Sequence, residues 1–319
     1  MILAIGIPWG AIIGVAAFLL ILLPILIYPP LIGMILFRVL LVRTGPEKWT
    51  RECPTNDPEQ IAMFEKGVAW HEQHKDRCQP VETVSDGLRL VGEFYDFGSD
   101  KTVLVMPGRS DSLYCSYFWA VPYAEKGLNV LVYDPRAHGM SEGKYNTVGF
   151  EEQKDVAAWI RYLQENTATK AIVLHGICVG IPGGLYTMTK PDAPEIVKCI
   201  VVEGMFSNFH ESLKNHLIEL KKNTSVTVPC INFWFRHFTG HTMHYGPVDV
   251  IHKLKTPLLM LHSQEDPYSL PHTAQELYDA AGSEHKELVW FPNGGHSRLR
   301  LVDPEKYDRV IHNFLDSLE

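Results

Sequence analysis

The chain has 319 residues, 46% of them hydrophobic and 21% charged, with a formal net charge of −8. No Lys/Arg-rich run is present, which excludes nucleic acid as a partner because phosphate binding needs concentrated positive charge. No internal repeat or low-complexity tract is present to suggest a solenoid or a disordered chain.

In chain order, Met1 to Phe37 carries no charged side chain. Ile2 to Tyr28 is long enough to cross a bilayer, since a span needs about 20 apolar residues. Pro29-Pro30 is expected to stop or sharply bend that helix. Leu31 to Val42, which holds Arg38, is too short for a second easy crossing and is read as an interfacial segment or one arm of a hairpin. A cleaved signal peptide fits less well: there is no basic leader, the apolar run is too long, and no small-x-small site follows. Residues 1–42 are therefore expected to be a single-pass anchor that meets the lipid bilayer through residues 2–28. Arg38, Arg43, Lys48 and Arg51 flank its C-terminal side, and the positive-inside rule then places the rest of the chain in the cytosol.

Residues 43–80 read as a tether and a helix. Asn56-Asp57-Pro58-Glu59 has a capping side chain, a first-turn proline and an early acid. Ile61, Phe64 and Val68 follow at helical spacing, and this helix is expected to take no part in chemistry. From residue 81 to 319 the pattern changes. Val81–Val84, the turn Ser85-Asp86-Gly87 and Leu88–Tyr95 predict a β-hairpin. Strands are then expected at Thr102–Met106, Asn129–Tyr133, Ala171–Leu174, Cys199–Val202, Pro257–Leu261 and Glu287–Trp290. Helices such as Phe150–Glu165 and Pro271–Ala281 lie between them. Short apolar strands alternating with amphipathic helices predict an α/β fold: a mostly parallel sheet flanked by helices. Residues 206–250 form a longer insertion, with a helix at Asn208–Lys222 and the aromatic run Phe233-Trp234-Phe235. Beyond the carboxyl edge of the sheet, where ligands bind, it is placed to be a lid.

Gly176-Ile177-Cys178-Val179-Gly180 follows a strand and opens a helix, the context of a nucleophile elbow. Gly176 and Gly180 supply the missing bulk where strand and helix crowd together. The helix N-terminus favours a thiolate at Cys178 and a developing oxyanion. Here the chain resembles the α/β-hydrolase superfamily, and more closely its lysophospholipase-like, serine-aminopeptidase-like bacterial members, over about residues 60–319. Tyr133-Asp134-Pro-Arg136-Ala-His138-Gly139-Met-Ser141 is similar to the D-x-R-G-x-G-x-S loop of these proteins. The resemblance implies that Asp266, after Leu261-His262, orients His296, in Asn293-Gly294-Gly295-His296. Glu265 and Glu203 are the competing acids. It also implies an oxyanion hole built from the backbone amides of Val179 and Arg109, the latter in Pro107-Gly108-Arg109-Ser110, where relatives usually begin His-Gly. The Arg109 side chain is read as solvated. Tyr114, Tyr117, Phe118 and Trp119 are candidates for the wall of an acyl pocket.

Cysteine in place of the usual serine is the main departure, and it implies a thioester intermediate. Three activities remain open: hydrolysis of a carboxylic ester, thioester or lactone, acyl transfer to an amine or alcohol, and binding without catalysis. The partner implied is a small, apolar acyl substrate. No cofactor is implied and no metal. His237, His241 and His244 are spaced like metal ligands but lack a carboxylate or cysteine partner in that pattern. The six cysteines, at 53, 78, 115, 178, 199 and 230, include no C-x-x-C pair, and a reducing compartment suits a thiolate.

Overall fold

Why the strands sit where they do follows from their composition. Runs such as VLVM and NVLVY are apolar on both faces, so each must be covered on both sides. In the computed structural model, which describes residues 9–318, they form the centre of one eight-stranded sheet. The chain runs α1 (Trp9–Leu41), α2 (Pro58–His74), β1 (Cys78–Ser85), β2 (Leu88–Tyr95), β3 (Lys101–Met106), α3 (Leu113–Glu125), β4 (Asn129–Tyr133) and α4 (Glu152–Asn166). It continues through β5 (Ala171–Ile177), α5 (Ile181–Met188), β6 (Val197–Glu203), α6 (Phe209–Glu219), α7 (Thr227–Thr239) and α8 (Pro247–Val250). Last come β7 (Leu258–Ser263), α9 (Pro271–Ala280), β8 (Lys286–Phe291), α10 (Leu299–Val302) and α11 (Pro304–Asp316).

Strand order is β1-β2-β4-β3-β5-β6-β7-β8. β1–β2 and β2–β4 pair antiparallel, and every other neighbour pair is parallel. Asp86 and Gly87, both at positive φ (+54° and +78°), make the two-residue turn between β1 and β2, as a type I′ hairpin requires. One face of the sheet packs against α4, α5 and α9 around Trp159, Leu174 and Leu185. The other packs against α2, α3 and α11 around Tyr117, Val105 and Phe314. Asp57 caps α2 by accepting from the Glu59 and Gln60 amides, and Asn208 caps α6 by accepting from the Glu211 amide. Each cap stabilises its helix by about 1 kcal/mol.

A third apolar cluster lies outside the sheet. Phe37, Leu41 and Val42 pack with Val179, Phe209, Leu213, Val228, Ile231 and Phe235. This corrects the expected break at Pro29-Pro30: α1 runs through both prolines to Leu41, so residues 31–41 continue the same helix and are not one arm of a hairpin. A proline removes one helical amide bond, and this stretch is packed against α7. Gly33 lets α7 approach so closely that a Cβ there would lie 2.5 Å from Cys230 Cβ. Trp234 Nε1 donates to the Pro30 carbonyl at 2.7 Å. The expected span, Ile2–Tyr28, begins before the described residues, and among those described no helix is long and apolar enough to cross a membrane.

Candidate active site

β5 ends at Ile177, and the chain turns at once into a single 3-10 turn and α5. Cys178 is forced to φ +46°, a left-handed conformation that costs a non-glycine residue about 1–2 kcal/mol. Its neighbours explain how the turn closes. A Cβ on Gly180 would lie 2.2 Å from the Met106 carbonyl oxygen and 2.5 Å from that of Pro107, and one on Gly176 would lie 3.0 Å from Ile181 Cα. The glycines therefore let the elbow and the loop after β3 come together. That contact sets the backbone of Gly108–Ser110 beside the thiol.

Asp266 lies in the loop after β7, buried, and accepts Nδ1–H of His296 on Oδ2 at 2.7 Å. Its other oxygen accepts from the amides of Tyr268 and Ser269, both at 2.9 Å. His296, in the loop after β8, also meets the Cys178 side chain. Gly204 makes room for the ring: a Cβ there would sit 3.0 Å from His296 Cε1. Although burial opposes its charge, Cys178 and Asp266 together hold the His296 imidazolium pKa well above 6.5. Burial also opposes the Asp266 charge, yet His296 and the Ser269 amide leave its carboxyl below the usual 3.8. Both shifts favour a charged imidazolium against a charged carboxylate.

Glu203, the competing acid, is engaged elsewhere. It accepts from Trp119 Nε1 at 3.0 Å, the Leu299 amide at 3.0 Å and Tyr307 Oη at 2.7 Å. It ties α3, α10 and α11 to the end of β6, and burial pushes its carboxyl pKa up. Glu265 lies on the cleft rim, without the histidine bond that Asp266 makes.

A cleft of about 590 Å³ opens over Cys178, lined by Arg109, Asp111, Leu213, His216, Tyr268 and His296 among others. Asp57, Gln60 and Met63 line it too, so α2 contributes to the site's wall, contrary to the expectation that it stands apart. Of the four aromatics proposed for an acyl pocket, only Trp119 reaches the cleft among the described residues. Tyr117 and Phe118 are core. Leu213 and His216 come from α6, and Asn215 Nδ2 donates to the Tyr268 carbonyl at 3.1 Å, so α6 of the 206–250 insertion lines the cleft and is tied to the loop that carries Asp266.

Several residues of the site were not singled out by sequence. Asp111 folds back on its own turn: its carboxyl accepts from the Gly108 amide, while burial raises its pKa. With Gly108 so engaged, Arg109 carries the next amide along the loop. The Arg109 carbonyl accepts from His138 Nε2 at 2.7 Å and Asn146 Nδ2 at 3.3 Å. His138 stacks under Trp49, with centroids 4.2 Å apart, and burial lowers its pKa to about 4 against the pull of the Arg136 and Arg109 carbonyls. The Arg109 side chain, expected to be solvated, is half-buried, and Nη1 donates to the Leu40 carbonyl at the end of α1 at 3.3 Å. The signal for these pairings is weak, because each joins residues far apart in the chain.

His241 is paired with Glu151 at 2.8 Å and His244 stacks on His210. Among the described residues the group that could hold a metal is His71, Cys78 and Glu93, away from the cleft. Tyr95 and Tyr117 hydroxyls already occupy Glu93 Oε2, at 2.9 and 2.6 Å.

The sheet order, the elbow at the end of β5, and loops after β7 and β8 that meet beside it form one constellation. The chain has the fold of the α/β-hydrolase superfamily. A family model described as serine aminopeptidase, S33, matches residues 219–303. The chain is 25% identical over 220 residues to the uncharacterized protein YqkD of Bacillus subtilis, covering 68% of this chain and 72% of that one. It is 24% identical over 220 residues to the uncharacterized membrane protein YNL320W of Saccharomyces cerevisiae, covering 68% and 71%. Among solved structures, the Pyrococcus furiosus esterase Pf2001 superposes with a TM-score of 0.67 at 24% identity, over 77% of this chain and 93% of that one. The α/β hydrolase GrgF from Penicillium superposes at 0.62 and 17% identity, over 75% and 98%. These solved structures share the α/β-hydrolase fold with the chain.

Proposed function

We propose that the chain is a membrane-anchored hydrolase that cleaves a carboxylic ester, thioester or lactone through an acyl-Cys178 intermediate. The observation that carries this reading is Cys178 at φ +46°, accessible in the cleft and facing the His296–Asp266 pair. In the first step His296 Nε2 takes the thiol proton and Sγ attacks the acyl carbonyl carbon. The amides of Arg109 and Val179 receive the oxyanion. Collapse breaks the bond to the leaving group, which departs with the proton from His296. Water then gives a proton to His296 and attacks the thioester, releasing the acid and restoring the thiol. Asp266 holds the ring's tautomer and stabilises its charge without itself taking the proton. The insertion over the cleft serves as its lid.

The anchor part of the reading is supported by α1. Its described side chains from Trp9 to Leu20 are exposed, with Trp9 79%, Phe18 62% and Leu20 74% accessible. So much bare apolar surface is unfavourable in water. The yeast relative's printed name, a membrane protein, agrees. The cations on the C-terminal flank favour a cytosolic domain, though Arg51 and Arg43 also have structural partners, Asp134 and the Gly139 and Ser141 carbonyls.

Intact mass of the detergent-solubilised full chain, incubated with p-nitrophenyl and acyl-thioester substrates, tests the chemistry. A transient acyl adduct on the wild type that Cys178→Ala lacks, with turnover falling by about 10⁴-fold or more, is the expected result. Release accelerated by added amine instead of water assigns an acyltransferase. No adduct and no turnover across the panel overturns the enzyme reading.

A further inference from the structure

We infer that the outer face of the insertion, from the end of α6 through α7, is a second bilayer-contacting surface that holds the mouth of the cleft against an anionic membrane. Five large apolar side chains stand out of this short segment: Ile218, Leu220, Val226, Phe233 and Phe238, each between 45% and 59% exposed. Outside α1 and the insertion, the exposed large apolar residues are Val84, Met140 and Val302, far apart in the chain, which is normal for any surface. The inner face of α7 is already committed, with Val228, Ile231 and Phe235 buried against α1 and α6. A helix apolar on both its inner and outer sides needs a second apolar environment.

Three further observations choose lipid as that environment. First, the surface is continuous with α1. Gly33 lies against Cys230, Trp234 bonds to Pro30, and the Phe37 and Phe238 rings stack with centroids 5.6 Å apart. On the same stretch of α1, Leu31, Ile32 and Ile35 are exposed at 41–50%. Second, the charges match an anionic headgroup layer: Lys221 and Lys222 lie at the tip and Arg236 on α7, with Glu219 the single acid between Ile218 and Gly240. Third, the other side of α6 supplies Phe209 and Leu213 to the cleft wall, so the surface adjoins the cleft through α6. An acyl chain leaving the membrane would pass along it to the thiol. That consequence rests on the hydrolase reading, whereas the contact itself does not need catalysis.

The full chain, reconstituted in phosphatidylcholine vesicles with and without phosphatidylglycerol, is irradiated with a bilayer-confined diazirine, and adducts are mapped by peptide mass spectrometry. Adducts on residues 218–238 as well as on α1, several-fold stronger with phosphatidylglycerol, are expected. Leu220→Ser with Phe233→Ser, exposed positions whose loss leaves the core intact, should cut labelling of the insertion several-fold and leave α1 labelled as before. Labelling of α1 alone overturns the inference and leaves the anchor standing. Labelling of the insertion without α1 overturns the anchor and keeps the contact. Labelling of neither overturns both. A cross-link joining this face in two copies, with no lipid adduct, assigns the surface to self-association and also overturns the inference.

Discussion

The elbow at Cys178 and the roof of α1 and α7 meet in one apolar cluster through Val179 and are held by different forces. At the elbow the backbone is left-handed and crowded, and a Cβ on Gly180 has no room beside the Met106 carbonyl. At the roof, apolar side chains interlock between helices, as in Phe37 against Phe235 and Phe238. The elbow is thus specified by steric exclusion and directed hydrogen bonds, which tolerate almost no change. The roof is specified by burial, which is non-directional and accommodates swaps of similar volume.

Substitutions can break that contrast or sharpen it. The largest effect is expected for Asp266→Asn, which should lower kcat by about 10³–10⁴-fold while leaving KM nearly unchanged. Steady-state kinetics on a soluble thioester measures it, and an equal loss in Glu203→Gln with stability intact would transfer the acid role to Glu203. Next comes Gly180→Ala, whose new methyl must displace the loop after β3. A loss of about 1–3 kcal/mol is expected in chemical denaturation, together with slower acylation. A neutral result would show that the elbow yields as easily as the roof.

Trp234→Phe keeps the ring's apolar bulk and removes its bond to Pro30. Stability should fall by about 1 kcal/mol with turnover of a soluble ester unchanged. The smallest effect is a pH shift. His296 has its folded pKa raised, so the stability it contributes is complete below 6.5 and is lost as pH rises through the folded value. Asp266 has its pKa lowered, so its contribution is present above 3.8 and is lost as pH falls through the folded value. Cys178→Ala removes one of the interactions that raise His296, so the alkaline decline should begin at lower pH in thermal melts. An unchanged alkaline limb would place the imidazolium's stabilisation elsewhere.

Much of the sheet was legible because its strands are runs of β-branched and leucine side chains bounded by turn residues. Asn129–Tyr133 is found at the bounds its sequence implies, and β5 and β6 merely extend a few residues further. The elbow was legible because crowding imposes glycine at fixed spacing on either side of Cys178. The meeting of Asp266 with His296 agrees with the order of loops after the last two strands. What was not legible depends on distant partners. Pro29-Pro30 reads as a break only until α7 is seen to support the helix. Arg109 reads as solvated until Leu40 arrives from 69 residues away. Asp111 carries no pattern beyond lying three residues after a glycine, and Gly204 shows its purpose only when the His296 ring is beside it.

Through its Arg109 side chain, the loop that would receive the negative charge of the reaction is moored to the last turn of α1. Lys48 closes the same turn by donating to the Arg38, Val39 and Val42 carbonyls. A chain trimmed to begin near Asp57 for ease of handling would lose that mooring, Trp49's stack on His138 and every apolar contact of Phe37 and Leu41. Such a shortened chain would keep its thiol, imidazole and carboxylate yet present them to a slack loop, and under the proposed hydrolase reading rates measured on it would understate those of the whole chain.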